Sequence, residues 1–180
     1  MQRQKLDDFS LPSGFRGRSP FTVQLWWIVY FFLFRPSPQF LYGWRRFLVR
    51  IFGGRIGKKV LLRPTCQITY PWKVVIGDNS WIGDEVVLYS LGEIIIGTNV
   101  VVSQRSYICT GTHDYSKSDF PIQKKNIIIE NECWLATDVY VAPGVKIGRG
   151  SVVGARSSVY KDLPAYMVCF GNPAKVVRER

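Results

Sequence analysis

Residues 129–159 read IENECWLATDVYVAPGVKIGRGSVVGARSSV, and an aliphatic residue recurs in them every six positions: Ile129, Leu135, Val141, Ile147, Val153 and Val159. The next residue is usually small (Ala136, Ala142, Gly148, Gly154), and so is the residue four positions on, from Cys133 through Ser151 and Ser157. A period of six suits neither an amphipathic helix nor an alternating strand. It suits a coil with three short flat faces, each turning one aliphatic inward per hexad. The residue two before each aliphatic also points in, because a triangular prism has little room at its corners.

Upstream the hexads return with insertions. Ile56-Gly57, Ile76-Gly77 and Ile96-Gly97 stand twenty residues apart, with Leu62, Ile68, Ile82, Leu88, Val102 and Ile108 between and after them. Such repeats form solenoids whose coils bury one another and whose ends need caps. Coils about 4.8 Å apart predict a column of roughly six coils, near 30 Å tall. Residues through Gly54 are expected to cap one end and the tail from Leu163 the other. Periodicity does not set the hand of the coil.

The rest of the chain differs in charge. Residues 1–63 hold twelve Lys or Arg against two acids, whereas 64–180 hold twelve against eleven. Nearly all of the net +11 thus sits in the first third, which points to an anionic surface or ligand there. Within that third lies one apolar block, Phe21 to Phe34, FTVQLWWIVYFFLF. As a helix it reaches about 21 Å, short of the ~30 Å hydrocarbon core, so a spanning helix is not expected. Arg16, Arg18 and Arg35 flank it and Arg45, Arg46 and Arg50 follow, which suits a segment lying in a membrane interface. A helix packed over the end of the column, or into a subunit interface, fits equally. Nucleic-acid binding fits poorly, since LWWIVYFFLF is more apolar than a solvated base-stacking face. No signal peptide is expected. Cys66, Cys109, Cys133 and Cys169 form no CxxC pair, and Cys66, Cys133 and Cys169 are read as small inward residues of the repeat, in keeping with a reducing cytoplasm.

The stretches IGDNSWIGDEVVL (76–88), WLATDVYVAPGVKIGRGSVVGARSSV (134–159) and GNPAKVVRE (171–179) resemble the hexapeptide-repeat acyltransferases. VQLWW (23–27), SPQFLYGWRRFLVRIFG (37–53) and ITYPWK (68–73) narrow the resemblance to acetyltransferases of colanic-acid-type bacterial exopolysaccharide synthesis. It implies an all-β fold, a left-handed parallel β-helix of hexapeptide repeats with an N-terminal, partly helical, apolar and basic segment. It also implies a homotrimer and acetyl-CoA as co-substrate, with a sugar or lipid-linked oligosaccharide as acceptor. Two regions are expected: 1–54 as cap, interface or membrane-surface contact, and 55–180 as the β-helix, with a loop at about 109–127 and a C-terminal tail. The chain is expected in the cytoplasm, peripheral at the inner face of the membrane if the anionic partner is lipid.

The hexads stop at Ile108 and resume at Ile129, a gap as long as one coil plus three residues, whose polar, turn-rich sequence is expected to leave the column as a loop. Within it, CTGTHDYSKSDFPIQKKN carries His113, the only histidine. A lone histidine is commonly structural. Here it stands where the repeat breaks, and Gly111, Thr112 and Asp114 give it the look of the family's catalytic Gly-x-His loop. An imidazole, with an ordinary pKa of about 6.5, can take the proton of an attacking sugar hydroxyl. One histidine per chain cannot build the zinc site of related β-helix carbonic anhydrases, so no metal is expected.

By resemblance, Trp134 lies beside the acetyl-CoA cleft, and Thr137, Ala155, Tyr160, Lys161, Lys175 and Arg178 match cofactor-contacting positions. Thr137 and Ala155 fit a merely flat coil as well, and the basic residues a solvated face. Where the family places an Asn on the acceptor sugar, this chain has Gly83 beside Asp84, so Asp84 or Glu85 is the expected substitute. Asp114 is a candidate to orient the imidazole or meet substrate. Other acceptors (an antibiotic, an amino sugar, serine) and a non-catalytic β-helix scaffold are the competing readings.

Overall fold

The computed structural model describes residues 4–180. From Arg55 on, strands of two or three residues stack in parallel into three flat sheets, the faces of a triangular prism. The hexad aliphatics fall into register along them. Ile56, Ile76, Ile96, Ile129 and Ile147 form the row of the first face. Leu62, Ile82, Val102, Leu135 and Val153 form the second. Ile68, Leu88, Ile108, Val141 and Val159 form the third. Each is at most 7% exposed, so the column core is these rows together with Val60, Cys66, Ser80, Ser106, Cys133 and Ser151 between them.

Sharp corners follow from backbone conformation. Lys59, Asn79, Asn99 and Glu132 have φ of 54–64° on one edge, and Glu85, Arg105, Asp138 and Arg156 have φ of 57–60° on another. Left-handed geometry costs a non-glycine residue roughly 1 kcal/mol. It persists because it aims each N–H along the column: Asn79 donates to Lys58 O, Asn99 to Asp78 O, and Arg105 to Asp84 O, all at 2.9 Å. The small residue after the aliphatic has a steric reason too. A Cβ on Gly77 would sit 2.6 Å from the backbone of Gly97 in the next coil.

Five coils close fully. Leu163 then bridges to Ile147, and Met167–Gly171 pairs with the fifth coil, giving two faces of a sixth. Cys169 stands opposite Val153 and so extends the aliphatic row itself, whereas Cys66 and Cys133 take the small inward position. All four cysteines are free. Ala174–Glu179 folds back antiparallel and covers the second face's upper edge.

The N-terminal third closes the other end. Helix α1 (Pro20–Val29) starts at Ser19, whose hydroxyl accepts from Thr22 N, and runs on through a π-turn at Tyr30–Phe34. Helix α2 spans Tyr42–Ile51. Val23, Trp26, Tyr30 and Phe34 form the buried stripe of the first helix. The lowest coil has no coil beneath it, so its carbonyls need other donors. Trp26 Nε1 donates to Ile68 O (2.8 Å), Arg45 Nε to Leu62 O (2.6 Å), Arg46 to Val60 O (2.8 Å) and Arg50 to Ile56 O. Arg45 is fully buried. These three arginines therefore cap the column. Among the described residues no helix is long and apolar enough to cross a membrane.

Candidate active site

All insertions leave the prism at the corner between the third and first faces. There the chain takes twenty-one residues from Ile108 to Ile129, where a plain hexad takes six. No extra coil lies in the gap: the strand Tyr107–Cys109 passes to Ile127–Ile129 of the adjoining face. The surplus is an antiparallel hairpin, Gly111–His113 against Ile122–Lys124, with His113 opposite Ile122 at its tip end. The segment before α1 holds it down, through Lys5 N to Ser118 O (2.7 Å) and Lys124 Nζ to Phe15 O (3.3 Å).

His113 is half-buried and fixed on two sides. Its Nδ1 lies 2.9 Å from the carbonyl oxygen of Phe120, and the Phe120 ring stacks on the imidazole at 4.3 Å and 10°. A carbonyl only accepts, so Nδ1 carries the proton and the neutral ring keeps its lone pair on Nε2. Phe120 itself has φ of 47°, a strained left-handed geometry of the kind found at functional loops. Phe9 lies 6.2 Å from the imidazole. Asp114 does not orient it. Its Oδ1 accepts from Ser116 N and Ser116 Oγ, and Lys117 stands 4.0 Å away. The hydrogen bonds of Ser116 hold this carboxyl below the usual carboxylate range.

The second face carries a cleft of about 450 Å³, lined in part by Tyr42, Arg63, Trp81, Asp84, Ser103 and Gln104. Asp84 accepts from Arg63 Nε (2.6 Å) and Thr65 Oγ1 (2.7 Å). Burial alone would raise its pKa, but these two hydrogen bonds outweigh that and hold it below the ordinary value. Glu85 is an exposed corner residue and does not line the cleft. Asp84, Gln104, Thr137 and Ala155 each stand two residues after a second-face aliphatic, so they form one line along the corner with the third face. Thr137 Oγ1 donates to Gln104 O at 3.1 Å.

Up the same face, Trp134 projects outward, 46% exposed, with Nε1 donating to Ser103 Oγ (3.1 Å) at the cleft. Trp134, Val152, Val168 and Arg178 are in register on successive strands. Three strand spacings put Arg178 about 14 Å from Trp134. Lys175 lies exposed on the same last strand. The structure thus brings together Asp84, Trp134, Thr137, Ala155, Lys175 and Arg178 on or beside one face. Tyr160 and Lys161 are elsewhere. Tyr160 ends a stack of tyrosines on the third face with Tyr140, Tyr107 and Tyr89, its ring 5.8 Å from that of Tyr140. His113 is apart too, since its corner lies opposite the second face. Among the described residues no cluster of three or more His, Cys, Asp or Glu could hold a metal ion.

Sequence reasoning missed Phe120, Tyr42, Arg63 and Gln104. The hexad register offered one signal: Gln104 occupies the step equivalent to Asp84. Nothing in the pattern marks Tyr42, which arrives from the cap.

Residues 126–161 match the family "Bacterial transferase hexapeptide (six repeats)". The chain is 59% identical over 98% of its length, and 97% of the relative's, to WcaF of Escherichia coli (strain K12), a protein named as a colanic acid biosynthesis acetyltransferase. It is 33% identical to the galactoside O-acetyltransferase of Lactococcus lactis, over 73% of this chain and 66% of that one. Among solved structures, a hexapeptide-repeat acetyltransferase of Vibrio cholerae in complex with acetyl coenzyme A superimposes with a TM-score of 0.79 at 25% identity, over 92% of this chain and 87% of that one. The coils share the left-handed sense of such acetyltransferases.

Proposed function

Because this chain belongs to the hexapeptide-repeat acyltransferases and is an acetyl-CoA-dependent acyltransferase, we propose that it acetylates a sugar hydroxyl of a bacterial exopolysaccharide with His113 as general base. The observation that carries the reading is the His113 ring, with Nδ1 held by Phe120 O and Nε2 left with its lone pair. Nε2 takes the proton of the acceptor hydroxyl as its oxygen attacks the thioester carbonyl. The imidazolium then returns that proton to the departing thiolate, giving the acetyl ester and CoA-SH with no acyl-enzyme.

The second face suits the other two tasks. Trp134 and the flat corner at Thr137 and Ala155 leave room for a thin pantetheine arm, and Lys175 and Arg178 offer cations to its phosphates. Asp84, Gln104 and Tyr42 offer acceptors and donors to sugar hydroxyls, and Trp81 a flat apolar wall. The acceptor is a free, nucleotide-linked or lipid-linked sugar. A lipid-linked acceptor favours work at the inner face of the cytoplasmic membrane.

The site is completed between copies of the chain in a homotrimer. Within one chain His113 sits at the corner opposite the face that carries Trp134 and Asp84. A neighbour turning its second face toward that corner unites base, cofactor and acceptor.

The test is CoA-thiol release with lipid-linked fucose-containing glycans. His113→Ala is expected to lower acceptor-dependent release by about 10²-fold or more. Activity that survives the change would remove the mechanism. Release only with another acceptor, such as an amino sugar or serine, would keep the mechanism and replace the sugar.

A further inference from the structure

The outward side of the cap is mostly apolar. A helix lying over a column end is expected to bury one stripe and offer water a polar one. Opposite the buried stripe of α1 and its π-turn stand Phe21, Leu25, Ile28 and Phe32, with exposures of 75, 40, 55 and 66%. Opposite the buried side of α2 stand Trp44, Phe47 and Ile51, and Phe40 precedes them, 76% exposed.

The two helices present one surface. Leu25 of α1 and Ile51 of α2 line the same groove, and Trp44 Nε1 donates across to Leu33 O at 3.0 Å. Its orientation follows from the capping bonds. Hydrogen bonds between coils run along the column, so donors that reach the lowest coil's carbonyls lie beneath it. The side turned away from those bonds is therefore the flat end of the molecule.

Cations rim this plate. Arg18 lines the groove of Leu25 and Ile51, about 420 Å³, and Arg35 lines a second groove with Phe31, Phe32 and Pro36, about 490 Å³. Exposed Lys58 and Lys59 belong to the adjoining corner of the lowest coil. Residues 9–77 contain eleven Lys or Arg and no acid.

We infer that this end plate seats the protein on the surface of an anionic phospholipid bilayer, with the column standing away from it. Apolar side chains enter the acyl boundary while Arg18 and Arg35 meet phosphates at its level. A second copy of the chain fits less well, because a two-fold contact would face two acid-free cationic rims against each other. Nucleic acid would leave the apolar plate unmatched. The inference gives a geometry to the membrane placement proposed above and rests on that placement, but it does not require the acetyl-transfer reading.

The experiment uses the full chain with vesicles of phosphatidylcholine alone and of phosphatidylcholine containing phosphatidylglycerol. Flotation is measured beside quenching of tryptophan fluorescence by brominated acyl chains. The wild type is expected to float with the anionic vesicles and to be quenched through Trp44. Arg18→Ser with Arg35→Ser should weaken binding roughly 30-fold. Ile28→Ser with Phe32→Ser should weaken it at least about 10-fold. Both variants should keep the wild-type melting temperature and CoA release with a water-soluble acceptor. A wild type that stays unbound and unquenched with anionic vesicles overturns the inference. So does a larger particle in solution that the Ile28/Phe32 variant splits, which would make a second copy the occupant. Vesicle binding without CoA release with any acceptor would sink the acetyl-transfer reading alone, and release without vesicle binding would sink this one.

Discussion

At His113 the geometry is set by a neighbour that the sequence does not flag. Phe120 supplies both the carbonyl that fixes the tautomer and the ring that fixes the plane, and it does so from a left-handed backbone. Phe120→Ala keeps the carbonyl and removes the stack. It is expected to lower kcat about 10-fold with little change in KM for acetyl-CoA, because small misplacements of a reacting group cost rate before they cost binding. An equal change in KM would assign Phe120 to binding instead. Asp84 sets a pH signature. Its folded pKa is lowered, so its contribution to stability is fully present above the unfolded value of about 3.9 and is lost as pH falls through the lowered folded value. Melting curves of wild type and Asp84→Asn should therefore differ at neutral pH and converge in acid. A difference that persists at the lowest pH would assign the effect to packing and not to charge.

At the scale of elements, the capping helices solve the problem of a solenoid's open end. Arg45 is the clearest case. Its guanidinium donates to Leu62 O, Pro38 O, Gln39 O and Ser37 Oγ, joining α2, the inter-helix loop and the lowest coil. Arg45→Met has similar reach and no donors, so these carbonyls lose their partners. A loss of about 3 kcal/mol is expected in urea unfolding, from the cost of unsatisfied buried acceptors. A loss below about 0.5 kcal/mol, the scale of an ordinary surface change, would show that water replaces the guanidinium. The hairpin at 111–124 is the second element of consequence. It departs from the corner that accepts insertions, so it holds His113 without interrupting any row of the core.

At the scale of the whole molecule, the prism separates the candidate groups by face and corner. The second face runs from the cleft at Asp84 past Trp134 to Arg178, and His113 projects from the opposite corner. A shared site makes a specific prediction. Co-assembled His113→Ala and Trp134→Asp chains should regain activity that neither has alone, since some interfaces unite the intact His113 corner with an intact second face. CoA release that stays at background in the mixture would place both groups in a site made by one chain.

The hexads by themselves determined the column, its register and the place where it breaks. A six-residue step maps each aliphatic onto a fixed face, so Ile129, Leu135 and Val141 declare three rows without any long-range information. The break likewise made His113 legible, as the lone histidine outside the rows. Only tertiary structure decided what surrounds them. Phe120 reaches His113 because the loop expected in the gap closes as a hairpin. Tyr42 accepts from Arg63, the partner of Asp84, because a cap folds against the lowest coil. Arg45, Arg46 and Arg50 look like free cations in the sequence and prove to be committed to carbonyls. The physical reason is the same in each case. A periodic backbone fixes direction locally, whereas the partner of a side chain depends on which distant segment the closed chain brings within about 3 Å.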